Sequence, residues 1–391
     1  MKKIYLYLIT LLIFAGCAGA PVSIEEGSVR TIESVWTQSV GHGTEGKHLR
    51  HSLAMDGGTL YAASYREIAA FERKSGKQIW RRTYDRNINT GLAIAGDALL
   101  FGGDAELVAL SRSTGEPIWH VSISSEVLAT PVVANGLVIV RTVDGNISAH
   151  KIDDGQQQWS YQFRVPVLSL RGNSSPTVQA KTIYVGTDNG HVVALDLKKG
   201  ELRWDSTLAV AHGRNEIERL VDVDAPLLSS RYGIVASAYQ QGMMLLALQS
   251  GQIVWKRDFS TISGAILDGD KFYFGDLEGS LWSVSVNRGA TYWKQPALDG
   301  RELGQPMSQA DMVVVADDQG YVHWFSKSDG SKRFSLRVKT KKEKFPLKSS
   351  TADYNRGFVE KRAILAPPLV VDEWAYVIDQ RGVLEAFRLR K

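Results

Sequence analysis

The sequence predicts an all-β protein: an eight-bladed β-propeller of four-stranded antiparallel blades, its ring closed by the N-terminal strand. Three observations predict this. A Gly-x-x-x-Trp segment returns at nearly regular spacing, hairpin dipeptides separate short β-rich runs, and the chain carries 36 Gly and 10 Trp with only 11 Pro. Glycines in such number, with aromatics at fixed intervals, fit many turns between short strands. The 391 residues are 44% apolar and 23% charged with a net charge of +4, an ordinary globular balance. One cysteine excludes an internal disulfide framework and any multi-cysteine metal centre.

The chain opens with an address. Lys2 and Lys3 precede the apolar run Ile4 to Ala15, followed by Gly16 and Cys17. That is the order of a secretory signal, and the run is short for a membrane-spanning helix of about 20 residues. Phe14-Ala15-Gly16-Cys17 resembles a bacterial lipobox, in which the cysteine is lipidated after cleavage, although leucine is usual where Phe14 stands. The resemblance implies a signal over 1–16. Ala18 after the cysteine, where Asp is associated with inner-membrane retention in enteric-type bacteria, points to the outer membrane. Residues 17–35 read as a lipidated tether without strand pattern, and 36–391 as the propeller.

The repeats follow. Gly76…Trp80, Gly115…Trp119, Gly155…Trp159, Gly200…Trp204, Gly251…Trp255 and Gly289…Trp293 share one spacing, and Gly330…Phe334 is a seventh copy with Phe in the Trp place. The aromatics lie 39, 40, 45, 51, 38 and 41 residues apart, which is the period of a propeller blade. One unit shows the grammar. Pro131-Val132-Val133 starts a strand, Asn135-Gly136 turns it, Leu137 to Thr142 returns, Asp144-Gly145 turns again, Ile147 to Ile152 is third, and Asp154-Gly155 leads into Gln156 to Tyr161. Asn-Gly and Asp-Gly between β-rich runs are strong hairpin signals. The strands near Trp374 to Ile378 and Val383 to Leu389 have no Gly-x-x-x-Trp after them, while Trp36 has no strands before it. Trp36 is therefore expected on the outer strand of the last blade, closing the ring without a free edge. The repeated tryptophans are expected between blades, each indole N–H with a partner.

Function is sought where the repeat is interrupted. Three connections between blades are long: 160–174, 205–224 and 335–366. All are of one kind and emerge on one face of the disc, and inserts gathered on one face mark a binding face. In the first, Leu168 and Leu170 share a side if the segment is extended, with Arg171 following; in the second, Asp222 and Asp224 share a side. These five residues form a candidate interaction patch with an apolar anchor and orienting charges. An equally open reading has Arg171 pairing internally with Asp222 or Asp224. The third insert is basic, net +5 over 339–362, so the rest of the mature chain is slightly acidic and no general nucleic-acid surface is expected. It reads as a solvated loop first, with membrane headgroups or an acidic partner second.

Catalytic patterns are weak. Gly41-x-Gly43-x-x-Gly46 matches a dinucleotide fingerprint only in letters, since no helix pattern follows it. His42, His48 and His51 lack the carboxylate spacing of a metal site. Asp104, Asp144, Asp188, Asp318 and Asp379 recur at one turn and are expected to serve it.

The units resemble the repeats of pyrroloquinoline-quinone (PQQ) dehydrogenases, with Thr114-Gly115-Glu116-Pro117-Ile118-Trp119 a close copy. Within that superfamily the whole chain resembles the BamB family, propeller lipoproteins of the outer-membrane β-barrel assembly (Bam) machinery. The likeness covers the lipobox, the eight units, the segment Leu168-Ser169-Leu170-Arg171-Gly172 and the segment from Glu216 to Asp224. It implies a non-enzymatic scaffold anchored at the periplasmic face of the outer membrane, without cofactor or metal. The implied partners are the periplasmic domains of BamA, bound through the positions of Leu168, Leu170, Arg171, Asp222 and Asp224, and unfolded outer-membrane proteins. The insert 335–366 is longer than that family leads one to expect. A PQQ-dependent dehydrogenase and a generic periplasmic adaptor are the alternatives; repeat similarity alone does not imply the cofactor.

Overall fold

Each hairpin-separated run becomes a strand, and the strands assemble into eight four-stranded antiparallel sheets. The computed structural model describes residues 30–166, 174–210, 221–239, 241–339 and 362–390. Cys17 and the leader, Leu168, Leu170 and Arg171, and residues 340–361 of the basic insert lie outside them. In each of the first seven blades the strands pair in chain order from the inside outward, as in Val132–Ala134, Leu137–Arg141, Asn146–Lys151 and Gln157–Gln162. The eighth takes Leu369–Val371, Trp374–Ile378 and Val383–Arg390 from the C-terminus and Thr31–Ser39 from the N-terminus as its outer strand. Closure by the strand containing Trp36 is thus as the sequence predicts. The strand starts at Thr31, however, so residues 31–35 belong to the propeller and not to the tether.

The core is divided rather than central. Eight apolar clusters lie one between each pair of adjacent blades; that between the last blade and the first holds Trp36, Leu60, Phe71, Trp374, Tyr376 and Leu384. The second and third strands of a blade are covered on both faces, so their sequences run apolar continuously, as in Ala98–Gly102. The outer strand is covered on one face only, and alternates.

The Gly-x-x-x-Trp repeat has two physical causes. Each tryptophan donates its indole N–H to a main-chain carbonyl in the third-to-fourth-strand turn of the next blade: Trp36 to Arg73, Trp80 to Arg112, Trp119 to Ile152, Trp159 to Leu197, Trp204 to Leu248, Trp255 to Val286 and Trp293 to Lys327, all at 2.9–3.1 Å. The glycine of that turn then lies against the ring; a Cβ on Gly76 would stand 2.6 Å from Trp36. The eighth position follows the same logic. The blade beyond Phe334 has no such turn, because its third and fourth strands come from opposite ends of the chain. No turn carbonyl awaits an N–H there, and Phe334 packs with Ile32, Phe387 and Leu389 instead.

One feature of the outer strands was not legible in the sequence. In all eight blades the ladder slips by one residue just before the aromatic, leaving Val35, Ile79, Ile118, Gln158, Arg203, Val254, Tyr292 or Arg333 opposite no partner. Such a β-bulge turns the strand over, so that residues before it face one neighbouring blade and the aromatic faces the other. Ile32 accordingly joins the cluster against the seventh blade and Trp36 the cluster against the first. The bulged residue is left at the rim, which accounts for the exposure of Val35, Ile79, Ile118, Val254 and Tyr292.

The expected turn aspartates need correction. The residues that cap the turn between second and third strands are Asp276, Asp317 and Asp379, each accepting main-chain N–H groups two and four residues on. Asp104, Asp188 and Asp318 stand one position later and point elsewhere: Asp104 to Asn87 and Asn89, Asp188 to Arg141, Asp318 to the Glu302 N–H. Asp144 stands later still, accepting from Thr142 and the Asn146 N–H. The letters recur, but the geometrical positions differ by one or two residues.

Candidate functional site

The long connections run from outer strand to next inner strand, at 163–176, 208–227 and 338–368, against 84–92 or 258–264 elsewhere. They share one face with the turns between second and third strands, because the strands alternate in direction. A further long connection, 40–53, joins the closing strand to the first blade. It contains the Gly41-x-Gly43-x-x-Gly46 motif, whose glycines have positive φ of 49°, 67° and 79°. Gly43 lies directly against the main chain of Gln380 and Arg381, and the Gly41 N–H bonds Glu67 at 2.7 Å. The motif is a close-packed blade junction. On the same segment His51 is buried, its Nε2 2.8 Å from the Ile88 carbonyl, and burial holds its pKa down to about 4. His42 and His48 are exposed.

The described parts of the first two inserts meet at their roots. Arg141 ends the second strand of the third blade and is 3% exposed. Its guanidinium carbon lies 5.7 Å from the ring centroid of Phe163, where the first insert begins. Its Nη1 donates to the Ser174 carbonyl at 3.3 Å, where that insert ends, and its Nη2 to Asp188 of the fourth blade. Ser174 Oγ donates to the Ala225 carbonyl at 3.2 Å, at the end of the second insert. The Val223 N–H bonds the Thr187 carbonyl at 3.1 Å, and the Tyr239 N–H bonds the Asp222 carbonyl at 3.0 Å.

Of the sequence-predicted residues, Asp222 and Asp224 are brought together, and Asp188 joins them: carboxylate oxygens of all three lie within 4.8 Å of one another. Asp222 is 1% exposed and Asp224 partly buried. Arg50, from the connection 40–53 on the other side of the ring, approaches the same place and donates to the Ile262 carbonyl at 3.4 Å. The donor set is one a cation would use, and the Arg141 guanidinium already pairs with Asp188, one of the three carboxylates. No motif in the sequence marks Arg141, Asp188 or Arg50 as site residues. Aligning the blades residue by residue is the signal that singles out Arg141, since other blades carry Ala63, Gly102, Gly186, Ser237, Gly275, Ala316 or Ile378 at its place.

Burial, and then the neighbouring Asp222, push the Asp224 carboxyl up to about 7; Asp188 adds to this while Arg141 and Arg50 oppose it. Its pKa is thus higher folded than unfolded. The folded state holds the proton better, and the associated stability is present in full below about pH 4 and lost as pH rises through about 7. Asp224→Asn should remove this dependence. Relative to that variant, the wild type is expected to lose up to roughly 4 kcal/mol between pH 4 and pH 8, measured by urea unfolding at each pH. Parallel pH profiles for the two proteins would contradict the assignment.

A family model described as outer membrane protein assembly factor BamB matches residues 64–295, more than half of the chain. The chain belongs to the BamB family. A relative of that name from Alkalilimnicola ehrlichii is 34% identical over 334 residues, covering 84% of this chain and 87% of the relative. The crystal structure of BamB from Moraxella catarrhalis superposes with a TM-score of 0.77 at 21% identity, over 92% of this chain and 100% of that one. A quinohemoprotein alcohol dehydrogenase from Comamonas testosteroni shares the propeller too, with a TM-score of 0.71 at 14% identity over 91% of this chain and 76% of that one. At these identities the structural likenesses concern the fold alone, whereas the BamB sequence relationship spans most of both chains. The described residues of the two inserts offer root geometry and buried charge.

Proposed function

We propose that this protein is a lipid-anchored, non-enzymatic scaffold at the periplasmic face of the outer membrane. It binds the periplasmic domains of BamA through its insert face and assists delivery and insertion of outer-membrane proteins. The convergence of two inserts on one face carries this reading: their roots are tied through Arg141, Ser174 and Ala225 beside Asp222 and Asp224. Leu168, Leu170 and Arg171 follow from one of those roots in sequence, and the family resemblance associates their positions with BamA. The burial of Asp222 favours a role behind the contact, shaping the loop or meeting Arg171, over one in which the partner touches it.

The deciding experiment is capture of purified BamA periplasmic domains. Leu170→Ala and Arg171→Glu are expected to weaken capture with little change in melting temperature, since central anchors lose about 2 kcal/mol or more on truncation. Combining Arg171→Glu with Asp222→Arg, and separately with Asp224→Arg, asks whether these charges serve one another; recovery of capture by either reversal identifies an internal pair. Folded Leu168, Leu170 and Arg171 variants that all bind as wild type would refute the contact. Incubation with PQQ and calcium is expected to leave no bound-cofactor absorbance.

Anchoring has its own test. Acyl chains on Cys17 would each contribute about 0.8 kcal/mol per buried CH₂, and more than one chain holds a protein firmly. Cys17→Ala is expected to abolish lipid labelling and release the protein from membranes, while the propeller still folds. Unchanged labelling would refute the anchor.

A further inference from the structure

We infer that Arg141 is a positioning residue for the partner-binding inserts: one guanidinium, held by Asp188, clamps both roots of the first insert and ties it to the second. The inference rests on the patch reading above, because it names what holds that patch in place.

The propeller as such does not require an arginine here. At the matching place three blades use glycine, and there the next connection presses an apolar side chain into the space. A Cβ on Gly102 would meet Val127 at 2.5 Å, one on Gly186 would meet Val223 at 2.6 Å, and one on Gly275 would meet Leu303 at 2.8 Å. At the junction beside Arg141 the connection returns to the described residues at Ser174, whose carbonyl meets the guanidinium. At the junction entered by the first insert, a polar clamp on Arg141 stands at this place.

The geometry of the clamp is specific. The cation covers the Phe163 ring at the insert's start, and an N–H reaches the Ser174 carbonyl at its end, so the two ends are fixed relative to each other. Ser174 passes the restraint to Ala225 through its hydroxyl. Asp188 fixes the guanidinium from the other side, and both partners are nearly inaccessible to water, at 3% and 4% side-chain exposure. A planar guanidinium with several fixed donors does this, whereas an ammonium group of the same charge has no fork to span two acceptors.

Removing one member alone would strand a buried charge and unsettle the fold, so the main test removes both, as Arg141→Met with Asp188→Asn. Replacing a buried pair by neutral groups is frequently near-neutral in stability. The double variant is expected to melt close to wild type. Trypsin is expected to cut it after Arg171 at least roughly tenfold faster, as befits loss of a charge-assisted bond that restrains the loop ends. Capture of the BamA periplasmic domains is expected to weaken by a similar factor. Arg141→Lys should not restore either property, although it restores the charge. If the double variant does not fold, Arg141→Lys, which keeps a cation beside Asp188 but has no fork, is read the same way, with faster cleavage after Arg171 expected. Wild-type cleavage after Arg171 in a folded variant overturns the clamp. The proteolysis does not involve the partner, so the two readings fail separately: wild-type capture by Arg171→Glu refutes the patch, while lost capture by Arg171→Glu with intact capture by the folded double variant refutes the clamp alone.

Discussion

Deleting residues 30–40 is expected to destroy cooperative unfolding and leave a protein prone to self-association. The strand Thr31–Ser39 pairs with Val383–Arg390 along eight residue pairs, so its loss strips the outer edge of the last blade. Trp36, 9% exposed, goes with it; its ring lies 5.9 Å from Tyr376 of the last blade and 6.4 Å from Phe71 of the first, and its N–H bonds the Arg73 carbonyl. Gln38 also donates to the Gly76 carbonyl of the first blade, and the Val40 N–H to the Gly382 carbonyl continues the pairing within the last blade. Trp36→Ala alone should cost about 3–5 kcal/mol as a buried aromatic replaced by a cavity. The full deletion adds an unpaired strand edge, a template for association. Thermal melting with light scattering measures both effects. A deletion protein that stays monomeric with an unaltered melting temperature would mean that the ring is held some other way.

Gly251→Ala is expected to destabilise the junction between the fourth and fifth blades by about 3 kcal/mol, large for a single added methyl. Two causes add. Gly251 has φ of +68°, a left-handed conformation that costs an L-residue roughly 1–2 kcal/mol, and its added Cβ would stand 2.5 Å from the Trp204 ring. The ring cannot withdraw easily, since its N–H is bonded to Leu248 at 2.9 Å and it packs on Tyr184. A double-mutant cycle separates the causes. With Trp204→Ala in place the overlap is gone, and Gly251→Ala should then cost only the backbone strain. An equal cost in both backgrounds would show that the glycine is required for φ alone. Because this junction also carries the second insert, partner capture by Gly251→Ala near its melting temperature should fall before capture by Trp36→Ala does.

The fold was legible because its repeat is written in local chemistry. A left-handed glycine in a turn, a β-rich run and an indole each leave a mark within a few residues, and eight copies average away the ambiguity of any one. Even the missing tryptophan at Phe334 and the orphan strand at Trp36 were consistent with closure. The bulges were not legible, because the slipped residue carries no fixed type: valine, isoleucine, glutamine, arginine and tyrosine all serve. What matters there is the ladder on the neighbouring strand. The start of the closing strand is hidden for the same reason, since the bulge at Val35 breaks the alternation from Ile32 to Trp36.

The candidate site divides along the same line. By itself the sequence determined the number of blades, the mode of closure, which connections are long and the common face they share, because chain order and strand alternation suffice for these. It also drew attention to Asp222 and Asp224. Only the tertiary structure decided that these carboxylates lie largely beneath the surface, that Asp188 belongs with them rather than with its own turn, and that Arg50 approaches from the far side of the ring. Arg141 is the clearest case: 47 residues from Asp188 and 33 from Ser174, it carries no motif that marks it. Its meaning comes from the Ser174 carbonyl, the Asp188 carboxylate and the Phe163 ring that meet around it, and these come together only once the blades are packed.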